Sequence, residues 1–557
     1  MNVIPVPAEV VLDPSVTFTL RPDATIRSDS AVLGGYLADL LRRPTGYALP
    51  VVDRPGATIE LVLVAEHAGP PLSAEHAGPP LSAVLDRGRR GDVHAELAPA
   101  ATGPALPSAA DRPPAAVRPV PSPAGERPGA AIEHDRSDTA EISDFPDESY
   151  TVEVTAERVT VRGRTEAGLF YGVQTLLQLL PSDVDARTVQ DGPWTVPGGR
   201  IADRPRYAYR GAMLDVSRHF FGVEVLKRFV DRISRYKMNV LHLHLTDDQG
   251  WRIAVDAWPR LASVGGASQV GGGPGGHYTK AQFAELVAYA AARHVTLVPE
   301  IDMPGHVNAA LTAYPELNRD GVAPPPYTGV AVGFSTLRAD LDVTYTFVRQ
   351  VLEEVAALTP GPFVHIGGDE ALSTSPEDYL AFMDRVQPLV TATGKTVVGW
   401  HQIGAADREP GRIVQYWGNL PDPDDDMRAA LAKGERILLS PANRVYLDMK
   451  YDAGTRIGLD WAGHITVRTA YDWDPATLLP GAPDVIGVEA PLWTETVETE
   501  ADIDLLAFPR LPAVAEVAWS PQPARDWPAF RARLAAHAPR WTHWGVGFHP
   551  DPEIPWS

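Results

Sequence analysis

Along "SYTVEVTAERVTVRG" (149–163) apolar and polar residues alternate, the period of a β-hairpin with one buried face. "EAGLFYGVQTLLQLL" (166–180) switches to helical spacing, and short apolar segments such as "ATIELVLVA" (57–65) lie upstream. Residues 1–200 therefore read as a small N-terminal α/β domain. From about 205 the rhythm becomes one of short apolar strands alternating with amphipathic helices. Strands are expected at 209–216, 239–248, 295–302, 363–370, 396–403, 412–418, 436–443 and 485–493, with helices at 223–236, 280–293, 340–357 and 377–393. Eight strands in this spacing predict a (β/α)8 TIM barrel over 205–557, finished by a C-terminal helix. A doubly wound open sheet is the alternative, but no Gly-rich phosphate turn follows any strand.

One stretch fits neither rhythm. "AEHAGPPLS" occurs twice in tandem, at 65–73 and 74–82, and residues 66–144 contain no Phe, Trp or Tyr. Chain so poor in large apolar groups gains too little from burial to offset its ordering entropy. Residues 66–144 are expected to be a disordered insertion; two repeats are too few for a solenoid.

Composition then narrows the class. With 49 basic against 71 acidic residues and a net charge of −22, neither nucleic acid nor an anionic membrane is an expected partner. No run of about 18 apolar residues occurs, so no membrane span is expected. The absence of cysteine excludes disulfides, thiolate metal sites and a cysteine nucleophile. The opening "MNVIPVPAEVVLDP" lacks a basic segment followed by an apolar one. No signal peptide is therefore expected and the cytoplasm is the default compartment; an extracellular location follows if the true start lies upstream.

Active sites of such barrels lie at the C-terminal ends of the strands. Those ends carry "DVSRH" (215–219), "TDDQGW" (246–251), "EIDMPGH" (300–306), "GGDE" (367–370), "GWH" (399–401), "QYWG" (415–418) and "PLWTE" (491–495). The bland reading of Asp369 and Glu370 is a charged turn, but behind "FVHIGG" at a strand end chemistry is favoured. Gly367 and Gly368 let backbone and ligand approach closely. Adjacent side chains in an extended chain leave to opposite sides, so the pair suits a proton donor beside a helper. Trp400, Trp417, Trp461 and Trp493 form a second set, three of them at predicted strand ends, where a purely structural role is less natural. Flat aromatic faces bind sugar rings, and with two carboxylates nearby this points to glycoside chemistry. The rival is a metal hydrolase, because His242 and His244 share one face of a strand. That pattern falls on the second strand, and "QYWG" stands where a sixth-strand histidine would be needed. Both histidines are expected to pack inside the barrel, with no metal.

The motifs "YRGAMLDVSRHFF" (209–221), "LHLTDDQGWR" (243–252), "PEIDMPGH" (299–306) and "HIGGDE" (365–370) together resemble glycoside hydrolase family 20, the β-N-acetylhexosaminidases. The resemblance covers about 205–520 strongly, and the N-terminal domain resembles the family's non-catalytic companion. It implies substrate-assisted retaining catalysis, in which the sugar's 2-acetamido oxygen is the nucleophile and an oxazolinium forms. Glu370 then matches the general acid/base, Asp369 the residue holding the acetamido N–H, and Tyr446 the donor to the acetamido oxygen. Arg218, Asp448 and Glu495 resemble the hydroxyl-binding residues. Trp400, Trp417 and Trp493 resemble the acetamido pocket walls, Trp461 a further sugar contact, and Asp247 with His306 the pair behind the acid. No cofactor is implied. The expected partner is an N-acetylhexosamine-containing oligosaccharide or glycoconjugate, acted on by a monomer or homodimer that releases terminal GlcNAc or GalNAc. A lacto-N-biosidase-like enzyme and a non-catalytic sugar-binding protein are the alternatives. The insertion is not a feature of the family.

Overall fold

A computed structural model describes residues 1–64, 144–419, 422–482 and 484–556. The expected insertion lies outside these residues, except for Asp144, whose carboxylate pairs with Arg436 at 2.7 Å. The N-terminal strands β1 (Glu9–Thr19), β2 (Ile26–Ser28), β3 (Ile59–Leu63), β4 (Tyr150–Val154), β5 (Val159–Gly163) and β6 (Thr195–Asp203) form one sheet in the order β1-β6-β4-β5-β3-β2. The alternation read at 149–163 is the antiparallel pair β4–β5, with Val152 opposite Val161. Helices Ala31–Thr45 and Glu166–Leu179 bury Leu33, Leu37, Leu41, Phe170, Val173 and Leu177 in a core shared with the strands. The first of them starts on a Ser30 cap and stops at Gly46, whose φ of 68° is the left-handed turn that glycine adopts without strain.

Eight parallel strands follow: β7 (Tyr209–Asp215), β8 (Val240–His244), β9 (Thr296–Glu300), β10 (Phe363–His365), β11 (Thr396–Trp400), β12 (Ile413–Tyr416), β13 (Arg436–Leu439) and β14 (Asp484–Leu492). Each pairs with its neighbours in sequence, and β14 pairs back onto β7, which closes the barrel. One residue from every strand (Tyr209, Val240, Val298, Phe363, Val398, Ile413, Leu438 and Ile486) packs into a single apolar floor near the strands' N-terminal ends. Sheet and barrel are joined through a buried hub. Asp203 accepts Tyr150 Oη at 2.5 Å, Lys237 Nζ at 3.0 Å and the Trp519 indole N–H at 3.0 Å, while the Ala8 and Arg204 amides donate to its other oxygen at 3.0 Å.

Several strands are shorter than their apolar runs. β8 stops at His244 rather than 248, and β10 at His365 rather than 370. For β10 the reason is local. Gly367 and Gly368 have φ of 64° and 106°, and His306 and Glu370 also lie in the left-handed region at 56° and 44°. The chain leaves the sheet where the polar motifs begin.

Candidate active site

The loops past the strand ends bring together residues from Arg218 to Glu495. Asp215 at the end of β7 sets one side. Its Oδ1 accepts the Ser217 and Arg218 amides at 2.8 and 3.0 Å, and its Oδ2 accepts the Thr494 amide at 3.1 Å. One carboxylate thus fixes the turns that present Arg218 and Glu495. The Arg218 guanidinium lies 2.9 Å from Asp247 Oδ2 and stands over the Trp493 ring, 4.9 Å from its centroid.

Across the mouth, Gly367 and Gly368 let the chain double back over Asp302. A Cβ on Gly367 would fall 1.7 Å from Asp302 Oδ1, and the Gly368 amide donates to that oxygen at 3.1 Å. The turn puts Asp369 and Glu370 side by side outside the strand, not on opposite faces of an extended segment as the sequence suggested. Burial raises the Asp369 carboxyl. Burial first, and then the neighbouring Asp369 charge, push Glu370 up to about 7. His306 and Arg218 pull the other way. His306 is raised well above the ordinary histidine range despite its burial, chiefly by the Asp247 charge. Its Nδ1 is 3.2 Å from Asp247 Oδ1 and its Nε2 3.6 Å from Glu370 Oε2. Asp247, His306 and Glu370 therefore form a continuous line.

The aromatic side chains make a wall. Ring centroids run from Trp400 to Trp493 (5.7 Å), Trp493 to Tyr446 (6.3 Å), Tyr446 to Trp461 (5.9 Å) and Trp461 to Trp417 (6.1 Å). Trp400 is fully buried, whereas Trp461 is 49% exposed and forms the rim. Burial raises the Tyr446 hydroxyl well above its ordinary value, and the charges of Asp448, Asp369 and Glu370 add to this, so it stays a donor. Asp448 Oδ1 accepts the Trp493 amide at 3.4 Å.

What marks this as a binding site is the set of polar atoms left over. Asp369 Oδ1, Asp448 Oδ2, Glu495 Oε2 and Arg218 Nε are buried and have no hydrogen-bond partner in the protein. Other buried atoms without partners are scattered through the described residues, but these four converge around one aromatic wall, and that convergence points to a polar ligand. All twelve residues singled out in the sequence sit in this region. Sequence reasoning passed over Asp215, Asp302 and Glu300. Each lay inside a quoted motif, but only tertiary contacts distinguish it from its neighbours.

Could the same residues hold a metal? Among the described residues, His242, Glu300 and His365 come close enough to share an ion, as do Asp302, His306 and Asp369. In the first group the side chains already pair with one another, at 3.1 and 3.0 Å. His242 and His244 are packed inside the barrel.

The comparisons agree with the geometry. The family model "Glycosyl hydrolase family 20, catalytic domain" matches residues 207–379 and 371–522, and "Glycosyl hydrolase family 20, domain 2" matches 1–204. A beta-N-acetylhexosaminidase of Cellulomonas fimi is 49% identical over 412 residues, which is 74% of this chain and 82% of that protein. A beta-hexosaminidase of Akkermansia muciniphila is 33% identical over 71% of this chain and 84% of its own length. The solved GH20 beta-N-acetylhexosaminidase of Streptomyces coelicolor A3(2) superposes with a TM-score of 0.84 at 48% identity, covering 100% of this chain and 99% of that one. With the family model and the relatives in accord, the chain belongs to glycosyl hydrolase family 20.

Proposed function

We propose that this glycoside hydrolase is an exo-acting β-N-acetylhexosaminidase that removes terminal GlcNAc or GalNAc by substrate-assisted retaining catalysis. One observation carries the reading. A carboxyl pushed up to about 7, Glu370, stands beside Asp369, whose buried Oδ1 has no protein partner, inside an aromatic wall. Glu370 is protonated where it must act as an acid, and protonates the departing glycosidic oxygen. Asp302, raised well above the carboxylate range by burial and by Asp369, takes the proton of that pair and leaves Asp369 as the anion. Asp369 then accepts the acetamido N–H and offsets the positive charge that grows as the acetamido oxygen closes on the anomeric carbon. Tyr446 donates to that oxygen. Glu370, now ionised, takes the proton of the incoming water as the oxazolinium opens.

Trp400, Trp417 and Trp493 line the acetamido group, while Arg218, Asp448 and Glu495 read the ring hydroxyls. Asp247 and His306 hold the acid in place. The N-terminal domain, 1–200, carries none of these residues and acts as a docked companion to the catalytic domain, 205–557. The names of the relatives favour hexosaminidase over a disaccharide-releasing activity.

The test is hydrolysis of aryl β-GlcNAc, β-GalNAc and β-glucoside substrates side by side, with and without chelator. Turnover of the first two and near-silence of the glucoside is expected, because an oriented intramolecular nucleophile is worth about 7–11 kcal/mol. Equal turnover of the glucoside, or loss of activity in chelator, would overturn the reading.

A further inference from the structure

Eight-stranded barrels fill their interior mainly with Val, Ile and Leu. The floor of this barrel does so, but the layer above it does not: Glu300, Glu489, His242, His244 and His365 are all at most 1% exposed. Ions taken from water are costly even when paired, and an apolar layer of the same volume is often as stable or more so. The charged layer therefore calls for a functional account.

Glu300, the last residue of β9, is its hub. Its Oε2 lies 2.5 Å from His244 Nδ1 and 3.1 Å from His242 Nε2. Its Oε1 accepts the Trp400 indole N–H at 2.9 Å and lies 3.0 Å from His365 Nδ1. His244 spans two carboxylates, because its Nε2 is 2.7 Å from Asp247 Oδ2. With a carboxylate at each ring nitrogen the imidazolium is the favoured form. Burial opposes it, but Glu300 and Asp247 raise His244 well above the ordinary range. On the far side His242 Nδ1 is 2.9 Å from Glu489 Oε1, and Glu489 accepts Tyr209 Oη at 2.6 Å and Gln415 Nε2 at 2.7 Å. Gly211 leaves room for that carboxylate, since a Cβ there would fall 2.6 Å from Glu489 Oε2.

We propose that Glu300 is a positioning residue for the acid. Through His244 and Asp247 it fixes His306 against Glu370, and through Trp400 it ties the acetamido wall to the same carboxylate. The inference rests on the reading of Glu370 as general acid. Glu300→Gln keeps an acceptor for the indole but removes the charge that faces His244. Without that charge His244 is a weaker partner for Asp247, and the line to Glu370 loosens.

The experiment measures kcat and KM for Glu300→Gln, Glu370→Gln and the parent enzyme on aryl β-GlcNAc substrates whose leaving groups range from phenol to dinitrophenol. For Glu300→Gln the expected result is a kcat loss at least about tenfold larger with phenol than with dinitrophenol, a fraction of the acid's full contribution, with KM nearly unchanged. Trp400→Phe should weaken binding of a bicyclic oxazoline mimic without steepening the leaving-group dependence. A loss in Glu300→Gln that is the same for every leaving group, or no loss, overturns the inference while leaving the acid assignment intact. A flat dependence in Glu370→Gln itself removes the acid assignment and the inference with it. If Glu300→Gln gives no cooperative melt, His244→Gln carries the same expectation and decides the comparison.

Discussion

Two aspartates in this molecule have opposite surroundings. Asp203, at the junction of sheet and barrel, is met by five donors and has no oxygen to spare. Asp369, at the mouth of the barrel, is partly buried and keeps one buried oxygen, Oδ1, without a partner. The first joins the two domains, and its charge is neutralised inside the protein. The second is left incomplete by the fold, so a ligand that supplies the missing donor gains the whole interaction. Asp203 is buried throughout and Asp369 only in part, but it is the distribution of partners that sets the two charges apart.

The largest effect that tests this contrast is on turnover. Glu370→Gln should melt like the parent and lose about 10²–10⁴ in kcat on substrates with poor leaving groups. Intact activity with phenyl β-GlcNAc would break the functional half of the comparison. Next come the aspartates themselves. Asp203→Ala leaves Lys237 buried without its counter-ion and should lower stability by about 3–5 kcal/mol in denaturant melts, with kcat unchanged well below the transition. Asp369→Asn should do the reverse, sparing the melt and weakening both turnover and binding of an oxazoline mimic. If both variants changed the same property, the distinction would collapse.

A smaller, graded effect is expected from pH. As the proposed acid Glu370 must carry its proton, and its carboxyl is pushed up to about 7, so kcat/KM for poor leaving groups should fall above about 7 as the proton is lost. An activated leaving group should flatten that alkaline limb. The mildest prediction concerns the rim. Trp461 is half exposed, and Trp461→Ala should raise KM by only about three- to tenfold, in line with a stacking contribution of about 0.5–1.5 kcal/mol. A fall in kcat of similar size would place it nearer the reacting bond than the rim.

The contrast also explains what could be read from the sequence. The barrel and its rim were legible because strand periodicity is local and because the site motifs sit immediately after the strands that present them. "GGDE" could be suspected of chemistry from four letters and their position. Asp203 could not. It stands in "IADRP", which reads as an ordinary polar turn, and its partners Tyr150, Lys237 and Trp519 lie far away in sequence. Glu300 was hidden differently. A strand-end glutamate beside "IDMPGH" passes as part of the motif, and only the convergence of β8, β10 and β11 reveals how many groups it holds. The strand ends were overrun for a third reason, since the left-handed turns at Gly367, Gly368 and Glu370 interrupt an apolar run without changing its composition.

Closure of the barrel also has a consequence in time. β7 is completed on one side by β14, some 270 residues further along the chain. At about 5–20 residues per second a ribosome needs roughly 15–55 s to make that interval, and throughout it β7 has an unsatisfied edge. The nascent protein must shelter that strand until β14 emerges. A mouth that holds both Arg218 and Glu495 can form only after β14 has been made.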